Sequence, residues 1–286
     1  MKKSDVERIE VEMLLECLCE RYGYDFRSYS REHVARRVRG FVEQGPFVRI
    51  SDLIPAVLWD EDLAAQLIRR FSITVTSLFR DPEFYAQVRK HVIPVLRTYP
   101  FFKIWHAGCA TGEEVYSMAI LLEEEGLAGR ATIYGTDFNN GALDRARRGV
   151  YDAARAREFA DNYIRAGGQK SFSDYAHARY GFLALSAQLK ENILFANHNL
   201  VTDGVFGEVH VVFCRNVLIY FRPALQKRAL GLFSESLVRG GFLCVGAREP
   251  LDPDAEVAGF GAVAPGAAIY RSNAGADRAQ DRRDMV

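Results

Sequence analysis

The chain has 286 residues with 37 basic and 37 acidic side chains and no formal net charge, which allows a sizeable core in one or two domains and gives no global pull towards nucleic acid or membrane. No apolar run approaches membrane-spanning length, and the first 20 residues mix acids with apolar side chains where a signal peptide would be apolar, so a cytoplasmic location without membrane insertion is expected. The five cysteines (Cys17, Cys19, Cys109, Cys214, Cys244) lie in apolar segments and the six histidines are dispersed, which argues against a disulfide framework and gives no metal-ligand spacing.

Val6, Ile9, Met13, Leu14, Cys17 and Leu18 recur at helical spacing and predict a helix over 5–21, ended by Gly23. A second helix begins after Ser30 and buries Val34, Val38 and Phe41, with Arg31, Arg36, Arg37 and Arg39 mostly off that stripe. That basic face is either a solvated surface or a docking face for an acidic partner. Ser51 and Asp60 are candidate caps of two further helices, the last carrying Leu63, Leu67, Ile68 and Phe71. Residues 1–70 thus read as a small helical domain, and 71–84 as a linker in which Thr74, Thr76 and Arg80 are polar groups in an apolar run. Asp81-Pro82 is expected to cap and start the next helix.

Phe102 to Ala107 reads as a buried strand, Gly108 to Gly112 as a tight turn, and Val115, Met118, Ala119 and Leu122 as one face of a helix. Turns of this kind lie at the ligand-binding edge of open α/β sheets. The spacing lacks both the G-x-G-x-x-G dinucleotide pattern and a P-loop lysine, and Glu113 and Glu114 would repel a phosphate. The two acids suit either the dipole of the helix start or a ligand with hydroxyls and positive charge, such as S-adenosylmethionine. A second strand, Ala131 to Asp137, ends in an acid able to accept ribose hydroxyls.

Residues 149–190 read as an irregular, aromatic excursion from the sheet, with room for a short hairpin. Strands over 193–197 and 208–214 lead to His198-Asn199-Leu200 and Arg215-Asn216-Val217. A helix carrying Leu225, Ala229, Leu232, Phe233 and Leu237 then runs to Gly240-Gly241, strands follow over 242–246 and 268–271, and a polar tail is expected beyond 272. Strands separated by helices predict an α/β fold with a largely parallel sheet covered on both faces. In such a sheet Gly108, Asp137, Asn199 and Asn216 all project to one edge.

Ile73–Pro82, Ile104–Ser117, Gly135–Asp137, Asn199-Leu200 and Cys214-Arg-Asn-Val-Leu-Ile-Tyr-Phe221 together resemble the CheR family, chemotaxis methyltransferases that esterify receptor glutamates using S-adenosylmethionine. The resemblance covers roughly residues 5–272. It implies a Rossmann-like methyltransferase domain over 85–272 behind a helical substrate-recognition domain, with no metal. It implies that Thr74, Thr76, Arg80, Gly108, one of Glu113 and Glu114, Asp137, Asn199, Leu200, Asn216 and Val217 meet the cofactor. Arg80 and Tyr220 would orient the reacting groups, and Arg36 and Arg37 would hold the cytoplasmic region of a methyl-accepting receptor. The implied reaction is in-line displacement by a glutamate carboxylate, leaving S-adenosylhomocysteine. Some members grip a receptor carboxyl-terminal peptide with a small antiparallel subdomain; here 165–190 shows no glycine-anchored hairpin of that type, so such tethering is not expected. Other readings are a nicotinamide dehydrogenase, a cofactor-binding signalling scaffold without turnover, and the same chemistry on a signalling protein outside chemotaxis.

Overall fold

The computed structural model describes residues 3–72, 76–249, 251 and 259–273. Thr74 and all of the tail beyond 273 lie outside the described residues. The chain forms two compact units, residues 1–73 with 218–229, and residues 74–217 with 230–286. Residues 218–229 therefore cluster with the helices, although their place in the chain assigns them to the sheet domain.

The first unit contains α1 (Lys3–Tyr22), α2 (Arg31–Gln44), α3 (Leu53–Trp59) and α4 (Glu61–Phe71). The buried stripe of α1 is Val11, Leu14, Leu15 and Leu18, whereas Val6 and Met13, which share the expected periodicity, face solvent. Gly23 closes α1 at φ +75° with its N–H on the Cys19 carbonyl, a left-handed cap that suits glycine. Asp60 caps α4 by accepting from the Leu63 amide at 2.9 Å. Ser51 caps nothing; it lies inside a 3₁₀ turn (Ile50–Asp52) and its hydroxyl donates to Glu10 at 2.6 Å. The segment Leu218–Tyr220 and the residues after it add an isolated bridge between Tyr29 and Phe221.

The second unit is built on a seven-stranded sheet of β1 (Phe102–Ala107), β2 (Ala131–Asp137), β6 (Ile193–Asn197), β7 (Val209–Cys214), β8 (Leu237–Val245), β9 (Phe260–Ala262) and β10 (Ile269–Ser272). Their spatial order is β6-β2-β1-β7-β8-β10-β9. The first five are mutually parallel, and β10 and β9 close the far edge antiparallel. Helices α5 (Pro82–His91), α6 (Ile93–Leu96), α7 (Glu113–Glu124) and α8 (Asn140–Arg148) precede or connect the strands, and α10 (Pro223–Ser236) leads into β8. Ile104, Trp105, Val211, Val212, Phe213 and Leu243 are fully buried, the burial on both faces that continuous apolar strands of a parallel sheet require.

Two sequence expectations change here. Gly240-Gly241 does not end α10; the helix stops at Ser236 and both glycines lie within β8, with Gly240 at φ +73° and the β7–β8 register shifting between Val209 and Val211. A Cβ on Gly241 would lie 2.9 Å from the His210 carbonyl oxygen, so the glycine serves close strand contact. Within the excursion, β3 (Val150–Asp152), β5 (Phe182–Leu185) and β4 (Ala176–Arg179) pair as a three-stranded antiparallel sheet, with α9 (Ala156–Arg165) between β3 and β4. A glycine-anchored hairpin does exist: Tyr180 (φ +51°) and Gly181 (φ +77°) form its two-residue loop between the paired Arg179 and Phe182, the backbone signature of a primed turn.

Candidate active site at the carboxyl edge of the sheet

The parallel register brings the ends of β1, β2, β6 and β7 to one edge. After β1 the chain turns through Gly108 (φ +76°), Ala110 (φ +49°) and Gly112 (φ +89°) into α7. The amides of Gly108 and Cys109 both donate to the Thr136 carbonyl at 2.8 Å, which fixes the turn to the end of β2. A Cβ on Gly108 would stand 2.7 Å from Cγ2 of Val217, so the tip of β7 closes on the turn only because residue 108 has no side chain.

Asp137 lies at the centre of this edge and is buried. Its Oδ2 accepts from the Ala110 amide and its Oδ1 from the Asn139 amide, each at 2.9 Å, and the His198 amide donates to its carbonyl at 3.3 Å. Among the described residues no basic side chain pairs with its carboxylate. Burial raises its carboxyl above the usual range, against the opposing pull of the amides of Asn139, Ala110 and Phe138.

Glu113 and Glu114 are differently placed. Glu113 accepts from the Thr111 hydroxyl at 2.6 Å and from Arg155 at 3.2 Å. Glu114 accepts from His106 Nδ1 at 3.0 Å and from Arg215 at 2.9 Å. All four carboxylate oxygens thus have partners inside the protein. Burial raises the Glu113 carboxyl. The Glu114 carboxyl is lowered, because the bonds from His106 and Arg215 outweigh the opposite effect of burial.

The same two arginines fasten the linker. Arg155 donates to the Thr76 carbonyl at 2.7 Å. Arg215 donates to Asp81 at 2.8 Å and reaches the Arg80 carbonyl at 3.4 Å. Asp81 begins α5 by position but makes no capping bond; its carboxylate is turned to Arg215 instead. On the remaining tips, Asn199 is folded on its own loop, its amide donating to Asp203 and its Oδ1 accepting from the Val201 amide. Leu200 beside it is buried. Asn216 stands at φ +61°, its amide donating to Glu249 Oε2 at 2.6 Å, and the Gly246 amide donates to the same oxygen at 2.8 Å.

Gly108, Glu113, Glu114, Asp137, Asn199, Leu200, Asn216 and Val217 are thus gathered at one edge, with Thr76 and Arg80 tied to it through their carbonyls. Tyr220, Arg36 and Arg37 belong to the helical unit. There the Tyr220 carbonyl accepts from the Ser30 amide at 2.7 Å and its ring lies 4.7 Å from that of His33, which Arg36 approaches at 3.5 Å. Burial, with Arg37 and Arg36 nearby, lowers His33 from its usual value. His106 was readable from the sequence as a histidine near a strand end, with a core or surface role the favoured account; sequence reasoning missed three other residues that hold the site: Arg155, Arg215 and Glu249. Arg215 stood within the Cys-Arg-Asn-Val run and was readable there, whereas Arg155 lies in the excursion with no motif around it.

Among the described residues no three or more His, Cys, Asp or Glu side chains are grouped so as to hold a metal ion, and no helix is long and apolar enough to cross a membrane. Residues 74–260 match the family model described as "CheR methyltransferase, SAM binding domain". A protein of Pseudomonas putida named putative methyltransferase Cher3 is 48% identical over 244 residues, 85% of this chain and 89% of that protein. A chemotaxis protein methyltransferase of Listeria monocytogenes is 28% identical over 231 residues, 80% of this chain and 85% of that one. An uncharacterized 104.1 kDa protein of Rhodobacter capsulatus is 32% identical over 237 residues, 79% of this chain but 24% of its own length. With the family model spanning more than half of its length, the chain belongs to the CheR family of S-adenosylmethionine-dependent methyltransferases.

Proposed function

We propose that the protein transfers the methyl group of S-adenosylmethionine to glutamate side-chain carboxylates in the cytoplasmic region of a methyl-accepting signalling protein, giving methyl esters and S-adenosylhomocysteine without a metal. The observation that carries this reading is Asp137: a buried carboxylate without a basic partner among the described residues, at the tip of the second strand and beside the glycine turn. A carboxylate has about four acceptor positions. The backbone amides of Ala110, Asn139 and Phe138 act on Asp137 and leave room for hydroxyl donors, of which ribose supplies an adjacent pair. The sheet is then a Rossmann-like cofactor fold, with Gly108, Leu200, Asn216 and Val217 as further lining, and Asn199 where its amide nitrogen faces the ligand. Thr74 and Thr76 are proposed to complete the lining from the linker.

When bound, S-adenosylmethionine supplies a methyl group made electrophilic by its sulfonium. The acceptor needs no base from this chain, since a glutamate carboxyl of pKa about 4.3 is ionised at neutral pH. The chain's own work is alignment and exclusion of water. Arg80 and Tyr220 are proposed to orient the incoming carboxylate; a tight clamp by Arg80 would stabilise the ground state and slow transfer. Arg36, which is exposed, and Arg37 on α2 are proposed to hold the acidic protein substrate. The relatives named chemotaxis protein methyltransferases support a receptor of that class as substrate.

Incubation with methyl-labelled S-adenosylmethionine and a purified cytoplasmic receptor fragment from the source cell tests the proposal. Label on glutamate that is released by mild base is expected. Label that survives base, or that appears on nucleic acid, would refute it.

A further inference from the structure

A guanidinium withdrawn from water has to recover its hydration from charged partners, and the partners it finds show what it holds together. The Arg215 side chain is 1% exposed. One terminal nitrogen donates to Glu114 at 2.9 Å, the other to Asp81 at 2.8 Å, and both reach the Arg80 carbonyl at 3.4 Å. Its guanidinium carbon lies 3.9 Å from the centroid of the Phe84 ring. The side chain therefore joins three pieces: the tip of β7, the first turn of α7 and the end of the linker.

The linker end has a backbone that needs such support. Phe79 (φ +51°) and Asp81 (φ +55°) are left-handed non-glycine residues on either side of Arg80. Conformations of that kind persist only where their surroundings over-determine them. Two contacts do so here: the Phe79 amide donates to the Ser117 hydroxyl at 2.8 Å, and Arg215 holds the Asp81 carboxylate together with the Arg80 carbonyl. Ser117 and Glu114 both belong to α7, the helix that starts from the Gly108–Gly112 turn. The position from which the Arg80 side chain departs is thus referred, through two bonds, to the helix bordering the cofactor edge.

We infer that Arg215 is a positioning residue for methyl transfer: through Asp81 it fixes the backbone that presents Arg80, without touching either reactant. The inference rests on the orienting role proposed above for Arg80. It also assigns Glu114 to anchoring Arg215, in place of direct contact with the cofactor.

Removing Arg215 itself would take away the cation shared by Glu114 and Asp81 and empty a buried space beside Phe84, and such a variant could fail through folding alone. The test therefore uses Asp81→Asn, at a side chain 45% exposed, with Arg80→Ala and the double variant. The readouts are kcat and KM with the receptor fragment, calorimetric affinity for S-adenosylhomocysteine, and Tm. Misplacement of a catalytic group by about 1 Å can cost up to about 100-fold in rate. The loosened linker of Asp81→Asn is accordingly expected to lower kcat by about tenfold or more, with cofactor affinity and KM within about twofold. In the Arg80→Ala background the same substitution is expected to cause no further loss, because residues acting as a unit are non-additive. Full activity of Arg80→Ala would overturn the role of Arg80 and the inference with it. Low activity of Arg80→Ala beside undiminished turnover of Asp81→Asn would overturn the inference alone. An equal drop from Asp81→Asn in both backgrounds would do the same.

Discussion

Asp137→Asn tests the site most directly, because the structure separates what the residue does for the protein from what it does for the ligand. The amides of Ala110 and Asn139, each at 2.9 Å, use one acceptor position on each oxygen, and the Phe138 amide also acts on the carboxylate; the ribose hydroxyls are proposed to take what remains. The substitution keeps the shape, removes the charge and replaces one acceptor by a donor that must face the amide of Ala110 or Asn139. Hydrogen bonds to a charged group contribute about 1.5–3 kcal/mol. At about 1.4 kcal/mol per factor of ten, affinity for S-adenosylhomocysteine should fall roughly ten- to a hundredfold by calorimetry at neutral pH. Stability should change less, because two effects oppose. Burial raises the folded-state carboxyl pKa, so the contribution of Asp137 to folding is full below the unfolded value of about 3.9 and is lost as pH rises through the folded one. Loss of that penalty partly offsets the broken amide bond. The same shift predicts that affinity in the parent declines as pH falls through the raised value, by up to about tenfold per unit. The decline should therefore be reduced in Asp137→Asn, leaving only the part set by Glu113, whose carboxyl burial also raises. Unchanged affinity in the variant, or a pH slope undiminished by the substitution, would refute the placement of the ribose on Asp137.

Gly108→Ala would put a Cβ 2.7 Å from Val217 Cγ2 at φ +76°; the left-handed backbone alone costs an L-residue about 1–2 kcal/mol, so both Tm and S-adenosylhomocysteine affinity should fall, and retention of both would show that the turn and β7 tip need not meet. Glu249→Gln weakens the acceptor shared by the Asn216 and Gly246 amides; an affinity loss of about tenfold, on the scale of charge-assisted bonds, is expected by calorimetry, and no change would detach Asn216 from the site. Alanine at both Arg36 and Arg37 should raise KM for the protein substrate and leave cofactor affinity intact, whereas parallel losses in both measurements would indicate damage to α2.

The legible parts of this molecule were those that local pattern determines. Mainly apolar runs announced β1 and β7, a strand ending in an acid announced β2 with Asp137, and small residues followed by acids announced Gly108–Gly112. A short hairpin was allowed for in the excursion, but the bounds of β4 and β5 and their glycine turn escaped, because each strand has only four residues and much of β4 is exposed, too short for alternation to stand out. The end of α10 escaped because Leu237 continues its apolar periodicity although it already begins β8. The two acids at the start of α7 show a different limit. Their position suits a helix dipole, a cationic ligand or an internal ion pair equally well, and what decides among these lies 42 residues away at Arg155 and 101 residues away at Arg215. Once those pairs are formed, Glu113 and Glu114 each have a basic partner, while Asp137 has none among the described residues. The electrostatic case for a sulfonium nucleoside therefore passes from the motif glutamates to the end of the second strand, and the glutamates become the means by which two arginines hold Thr76 and Arg80 against the cofactor edge.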